Sequence, residues 1–186
     1  MTSDSGNRPH PDRRRFLIGA AAFATPFILP GIANAAIGPQ VRTVALHNMH
    51  TGEKVKTAYW EKGRYINDAL GEINVVLRDF RTDEVYPIDV RVIDLLQSLR
   101  RKLGTNAPYR VVSGYRSPKT NAALAAKSGG VAKKSLHMQG MAIDMSLPDR
   151  DLRTVHKVAK SLKLGGVGYY PKSGFVHVDV GKVRYW

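Results

Sequence analysis

Two short segments, S-L-H-M-Q-G-M-A-I-D at residues 135–144 and F-V-H-V-D at residues 175–179, constrain this chain more than any other feature. They offer His137, Asp144 and His177, two imidazoles and a carboxylate, the donor set that holds a catalytic zinc while one coordination position stays open. His137 and Asp144 are seven residues apart. On one continuous helix that is about 10 Å, too far for both to touch one ion. Gly140 between them favours a turn, with His137 at the end of a loop and Asp144 inside the strand that follows. His177 lies on the terminal hairpin, which can lie beside residues 142–146 in one sheet and bring the three ligands to one ion. The chain has no cysteine, so a metal site can draw only on His, Asp and Glu, which suits catalysis better than a closed structural site.

The remaining pattern supplies such a sheet and its cover. Residues 41–60 alternate loosely around Thr51-Gly52-Glu53 and read as a β-hairpin. Residues 65–80 carry apolar side chains near helical spacing. Residues 87–103 are a stronger helix, with Pro87 in its first turn, Val90, Ile93, Leu96 and Leu99 on one face, and Gly104 after it. Residues 109–113 read as a strand, 118–127 as a short alanine-rich helix, and 127–134 as a basic, glycine-containing loop beside the site. Residues 142–146 are a strand and 149–164 an amphipathic helix ended by Gly165-Gly166. Residues 167–170 and 175–180 pair across Pro171-Lys172-Ser173-Gly174. The predicted class is α+β, with a mainly antiparallel sheet flanked by helices.

The first 35 residues stand apart from that fold. Arg13 to Leu17 read R-R-R-F-L, which fits the core of a twin-arginine export signal. An apolar stretch follows, then Ala33-Asn34-Ala35, a small-x-small cleavage site. An ordinary basic leader of the general secretory route is the alternative. The apolar stretch is too short, and Pro26 and Pro30 too disruptive, for a stable transmembrane anchor. Residues 36–186 then form a single domain in the bacterial periplasm. The formal charge of +14 falls to +12 when the leader takes four Arg and two Asp with it. Such a balance suggests nucleic acid for a cytoplasmic protein, but an exported one meets cell-wall peptides and anionic surfaces instead.

The S-x-H-x-x-G-x-A-x-D pattern, S-G-Y-R-S at residues 113–117 and the later G-V-G-Y-Y-P-K-S-G-F-V-H-V-D together resemble the zinc peptidases of the M15 group. Within it they are most similar to the twin-arginine-exported murein endopeptidase branch, over nearly all of residues 41–186. The resemblance implies the hedgehog-like zinc peptidase fold, Zn2+ at His137, Asp144 and His177, and substrate binding by Arg116 and Ser135. The planar fork of Arg116 suits a carboxylate; a structural salt bridge is its alternative, and a backbone-bonding loop serine is that of Ser135. Many members carry an acid three residues before the last His, as the base for a zinc-bound water. Here that position is Gly174. Asp179, two residues after His177 on the same strand face, is the local candidate for the catalytic base, or else a partner that orients a ligand.

These readings predict a zinc-dependent endopeptidase that hydrolyses amide bonds in the crosslinks of peptidoglycan stem peptides. The rivals are a D-alanyl-D-alanine carboxypeptidase, a zinc-containing peptidoglycan-binding module without catalysis, and a basic surface-binding protein. His47 and His50 differ by an odd number and on a strand face opposite ways. His156 falls on the polar side of its helix, and Tyr169 or Tyr170 is positioned to wall the cleft.

Overall fold

The structure is a computed structural model, and it describes residues 1, 2, 41–128 and 130–186. Contacts divide the chain into two units, Met1–Ala36 and Ile37–Trp186; the fold below is that of the second. Apart from Met1 and Thr2, the leader read from residues 1–35 lies outside the described residues.

The first hairpin is β1 (Val41–Asn48) and β2 (Lys54–Glu61), antiparallel and joined by a turn at 49–53. A two-residue strand, β3 (Arg64–Tyr65), adds to the edge beside β2. Helix α1 (Asn67–Val76) buries Ala69, Ile73 and Val76 and is shorter at both ends than the spacing predicts. Helix α2 (Val90–Leu103) buries Val92, Ile93, Leu95, Leu96 and Leu99. Its cap is Asp89, whose side chain accepts from Arg91 N, so Pro87 stands before the helix rather than in its first turn. Strand β4 (Tyr109–Ser113), helix α3 (Pro118–Lys127) and strand β5 (Ala142–Ser146) have the bounds their sequence predicts. Helix α4 (Leu152–Leu162) is capped by Asp151 and ends on left-handed Lys163, two residues before the expected glycines. Strands β6 (Gly166–Tyr170), β7 (Phe175–Asp179) and β8 (Arg184–Tyr185) complete the chain.

All eight strands form one sheet in the order β3-β2-β1-β4-β5-β7-β6-β8. It is mixed, a correction to the mainly antiparallel sheet predicted above: β1 runs parallel to β4, and β6 parallel to β8. For β1 and β4 the cause is topological. After β3 the chain travels through α1 and α2 before returning beside β1, and a helical crossover delivers the strand in the same direction.

Strand periodicity separates core from site. Val111, Ile143, Met145, Val176 and Val178 join the side chains of α1, α2 and α4 in one buried cluster. The intervening residues Asp144, His177 and Asp179 point to the opposite face, because successive strand side chains alternate. Among the described residues, no helix is long and apolar enough to cross a membrane.

Candidate metal centre

The register of the sheet brings the first two candidate ligands together. Asp144 on β5 and His177 on β7 are direct cross-strand partners, and opposed side chains on one face are neighbours. His137 arrives from a short 3₁₀ turn, Leu136–Gln139, which ends on left-handed Gly140 (φ 65°). That reversal is what glycine permits without steric cost, and it folds His137 back over the start of β5. Ser135 caps the turn, its Oγ accepting from His137 N at 3.3 Å.

Three donor atoms converge: His137 Nε2, His177 Nδ1 and Asp144 Oδ1. The separations are 3.1 Å between the two nitrogens, 2.8 Å from Asp144 Oδ1 to His177, and 3.2 Å from Asp144 Oδ1 to His137. The outer edges of both rings are already committed. His137 Nδ1 lies 2.7 Å from Gly114 O, and a carbonyl only accepts, so that nitrogen carries the hydrogen. His177 Nε2 donates to Asp179 Oδ2 at 3.0 Å. With both hydrogens outside, three lone-pair donors face one another with nothing between them to share. A divalent cation resolves that conflict. Ligands about 2.0–2.1 Å from a tetrahedral zinc lie roughly 3.3 Å apart, so the three atoms need move only a few tenths of an ångström to hold one.

The electrostatics agree with this donor set. Burial holds His137 below the ordinary histidine range, with Asp144 opposing it. Burial raises Asp144, but His137 and His177 outweigh it and hold the carboxyl well below the carboxylate range. For His177, burial is outweighed by its hydrogen bonds to Asp144 and Asp179, and its pKa is raised.

Asp179 stands outside the three converging donor atoms. It is 1% exposed and sits at the far edge of the His177 ring from Nδ1. Its oxygens accept from His177 Nε2, Arg184 Nη1 and Nη2, Gly166 N and Gly181 N. Burial raises this carboxyl, but these donors prevail and depress it. Of the two roles weighed for Asp179, this contact with the outer edge of the ring is the one that a partner orienting a ligand would make. At Gly174 a Cβ would meet nothing within 4 Å, so the place of the missing acid is open space.

The centre opens on a cleft of about 620 Å³. Arg116 lines it, 9% exposed, with Nη2 3.2 Å from Asp144 Oδ2 and a buried Nε that has no partner among the described residues. Burial pushes the guanidinium below its ordinary value; Asp144 opposes this and nearby Arg81 adds to it. Arg81, Lys134 and Arg184 also line the cleft. Buried Asp79 ties this wall together, accepting from Arg81 N and from the N and Oγ of Ser117. Tyr170 faces the cleft, whereas Tyr169 stacks on His156 at 4.8 Å. His50 lies in the turn after β1, stacked on Phe80, and lines the same cleft. Sequence periodicity had no access to it.

Sequence reading also passed over Arg184 and Trp186. The first pairs with Asp179; the indole of the second lies 5.3 Å from the His177 ring. A usable signal was present in G-V-G at 166–168, two glycines on one strand face where side chains would be expected.

A family model described as Peptidase_M15_2, Peptidoglycan L,D-endopeptidase MepK, matches residues 36–186. The Peptidoglycan L,D-endopeptidase MepK of Escherichia coli (strain K12) is 42% identical over 177 residues, which span 94% of this chain and 97% of that protein. The Probable peptidoglycan L,D-endopeptidase MepK of Haemophilus influenzae (strain ATCC 51907 / DSM 11121 / KW20 / Rd) is 38% identical over 161 residues, 86% of this chain and 87% of its own length.

Proposed function

This chain belongs to the Peptidase_M15_2 family, and from that premise we propose that it is a zinc-dependent endopeptidase of peptidoglycan crosslinks. The observation that carries the reading is the convergence of three lone-pair donors on the floor of an open cleft. Zinc, when bound there, supplies a Lewis acid that polarises a carbonyl and lowers the pKa of water. His137 Nε2, His177 Nδ1 and Asp144 Oδ1 hold it. Gly114 O and Asp179 keep the hydrogens of both rings on their outer edges, so that the inner nitrogens stay free to ligate.

Arg116 binds substrate. Among the described residues, the one hydrogen bond of its side chain is the 3.2 Å bond to Asp144, and its buried Nε is left for a substrate oxygen. Ser135 Oγ accepts from His137 N, and its hydroxyl hydrogen remains to donate into the cleft. The cations along the cleft favour anionic stem peptides over neutral ones. Relatives named L,D-endopeptidase favour an amide between an L and a D centre. In stem peptides that is a diaminopimelate-to-diaminopimelate crosslink, rather than D-alanine to diaminopimelate.

The site of action is the periplasm, reached by the twin-arginine route. The R-R-R-F-L leader supports this. The relatives named for peptidoglycan support a location where that polymer is met.

One observation favours a second reading. Among the described residues, no carboxylate other than Asp144 lines the cleft, which suits a wall-binding module that keeps a metal without hydrolysis. Digestion of purified sacculi separates the readings. Loss of diaminopimelate-linked dimers is expected. Release of free D-alanine instead identifies a carboxypeptidase, and an unchanged product profile leaves the binding module.

A further inference from the structure

Strand β6 is cut away where the residues of β8 and Trp186 come closest to the centre. Gly166 and Gly168 lie two apart and so share a face. Gly168 is the cross-strand partner of His177, and Gly166 that of Arg184. A Cβ on Gly168 would stand 2.7 Å from indole atoms of Trp186, and one on Gly166 would meet Asp179 Oδ2 first and stand 2.6 Å from Arg184 Nη1, the two ends of the Arg184–Asp179 pair. Real Cβ atoms do not tolerate either contact, so the glycines make the room that these two side chains occupy.

Both are firmly held. The backbone of Trp186 donates to Val167 O at 3.2 Å and accepts from Tyr169 N at 3.0 Å. Its Nε1 donates to Tyr170 Oη at 2.7 Å, while its ring tilts against His177. Arg184 reaches Asp179 through two bonds, Nη2 to Oδ2 at 2.7 Å and Nη1 to Oδ1 at 3.1 Å. The same Oδ2 accepts from His177 Nε2. A carboxylate gripped in this bidentate way cannot rotate, so the plane and tautomer of the imidazole are set from outside.

We propose that β8 and Trp186 are a working part of the metal centre: Arg184 is a positioning residue acting on His177 through Asp179, and Trp186 is a wall against which substrate lies. The inference rests on the metal reading given under Proposed function. It adds a dependence of metal affinity on a residue that touches no ligand atom.

The test uses the full chain carrying Trp60→Phe, which leaves Trp186 as the one tryptophan of the two in the sequence. Co2+ is titrated while Trp186 emission and the visible Co2+ spectrum are recorded. The parent should bind about one ion per chain with quenching of Trp186. R184A should bind about 10–100-fold more weakly, the effect typical of losing an outer partner of a metal-bound histidine. R184K keeps the charge but not the fork, and should fall between them with a recovered spectrum. A merely structural Arg184 would lower the unfolding midpoint of the apo chain and leave Co2+ affinity alone. Separately, W186L should raise KM for a crosslinked muropeptide about 2–10-fold, the span expected of one aromatic contact, with kcat little changed. Unchanged affinity in both Arg184 variants, or an unchanged KM in W186L, overturns the corresponding half of the proposal. A parent that binds no Co2+ overturns the metal reading itself, and this inference with it.

Discussion

Replacing Asp179 by Asn separates an orienting carboxylate from a catalytic base. Five N–H donors point at Asp179: Gly166 N, Gly181 N and Arg184 Nη1 at Oδ1, and His177 Nε2 and Arg184 Nη2 at Oδ2. An amide accepts on one side only. Its oxygen is best kept toward the three donors at Oδ1, two of them backbone, which turns its NH2 group against His177 Nε2. The imidazole relieves that clash by moving its hydrogen to Nδ1, which then donates to Asp144 Oδ1, 2.8 Å away. The lone pair intended for zinc is thereby consumed. We expect zinc affinity to fall about 10–100-fold, equivalent to about 1.4–2.8 kcal/mol. Charge-assisted bonds lost in the apo protein should cost a further ~1–3 kcal/mol of stability. A competition titration against a zinc-chelating dye reads the affinity directly. If Asp179→Asn holds zinc within about twofold of the parent, the tautomer reasoning is wrong. A loss of kcat of about 100-fold or more at undiminished zinc content would instead restore Asp179 as the base.

Three further outcomes follow from the same geometry. His137→Ala and His177→Ala should each abolish stoichiometric zinc and sacculus digestion together, as elemental analysis and chromatography of the products will report. Chelation should destabilise the native domain if, as proposed, zinc binds the folded cluster: at a free concentration 100 times Kd the difference is about 2.7 kcal/mol, read from denaturant midpoints with and without metal. Gly168→Ala should push the Trp186 indole out of its seat, costing about 1–3 kcal/mol in overpacking; an unaltered Trp186 emission spectrum and midpoint would show the seat to be looser than drawn.

The legible parts of this molecule are those where short-range chemistry decides. Strand 109–113, helix 118–127 and strand 142–146 have sharp ends because Pro118, Gly140 and Pro148 punctuate them. The meeting of His137, Asp144 and His177 was likewise readable, since a glycine turn and a hairpin leave few other arrangements. Strands β3 and β8 were not. Two residues, Arg-Tyr in each case, carry no periodicity, and only a partner strand makes them strands. The mixed direction of the sheet depends on where the chain re-enters after α2, a long-range fact that no local window contains. For Asp179 the sequence left two roles open. Its spacing from His177 was correct, but spacing does not reveal that the ring presents Nδ1 to the centre and Nε2 to Asp179.

The pairing of Asp144 with His177 across β5 and β7 has a practical consequence. Were β7 to slip by one step, its valines would meet water and its imidazole would be driven among the helices. On the proposed zinc reading, metal retained through gel filtration would certify that the closing hairpin has threaded correctly. Metal content per chain becomes an inexpensive gauge of how much of a preparation is properly assembled.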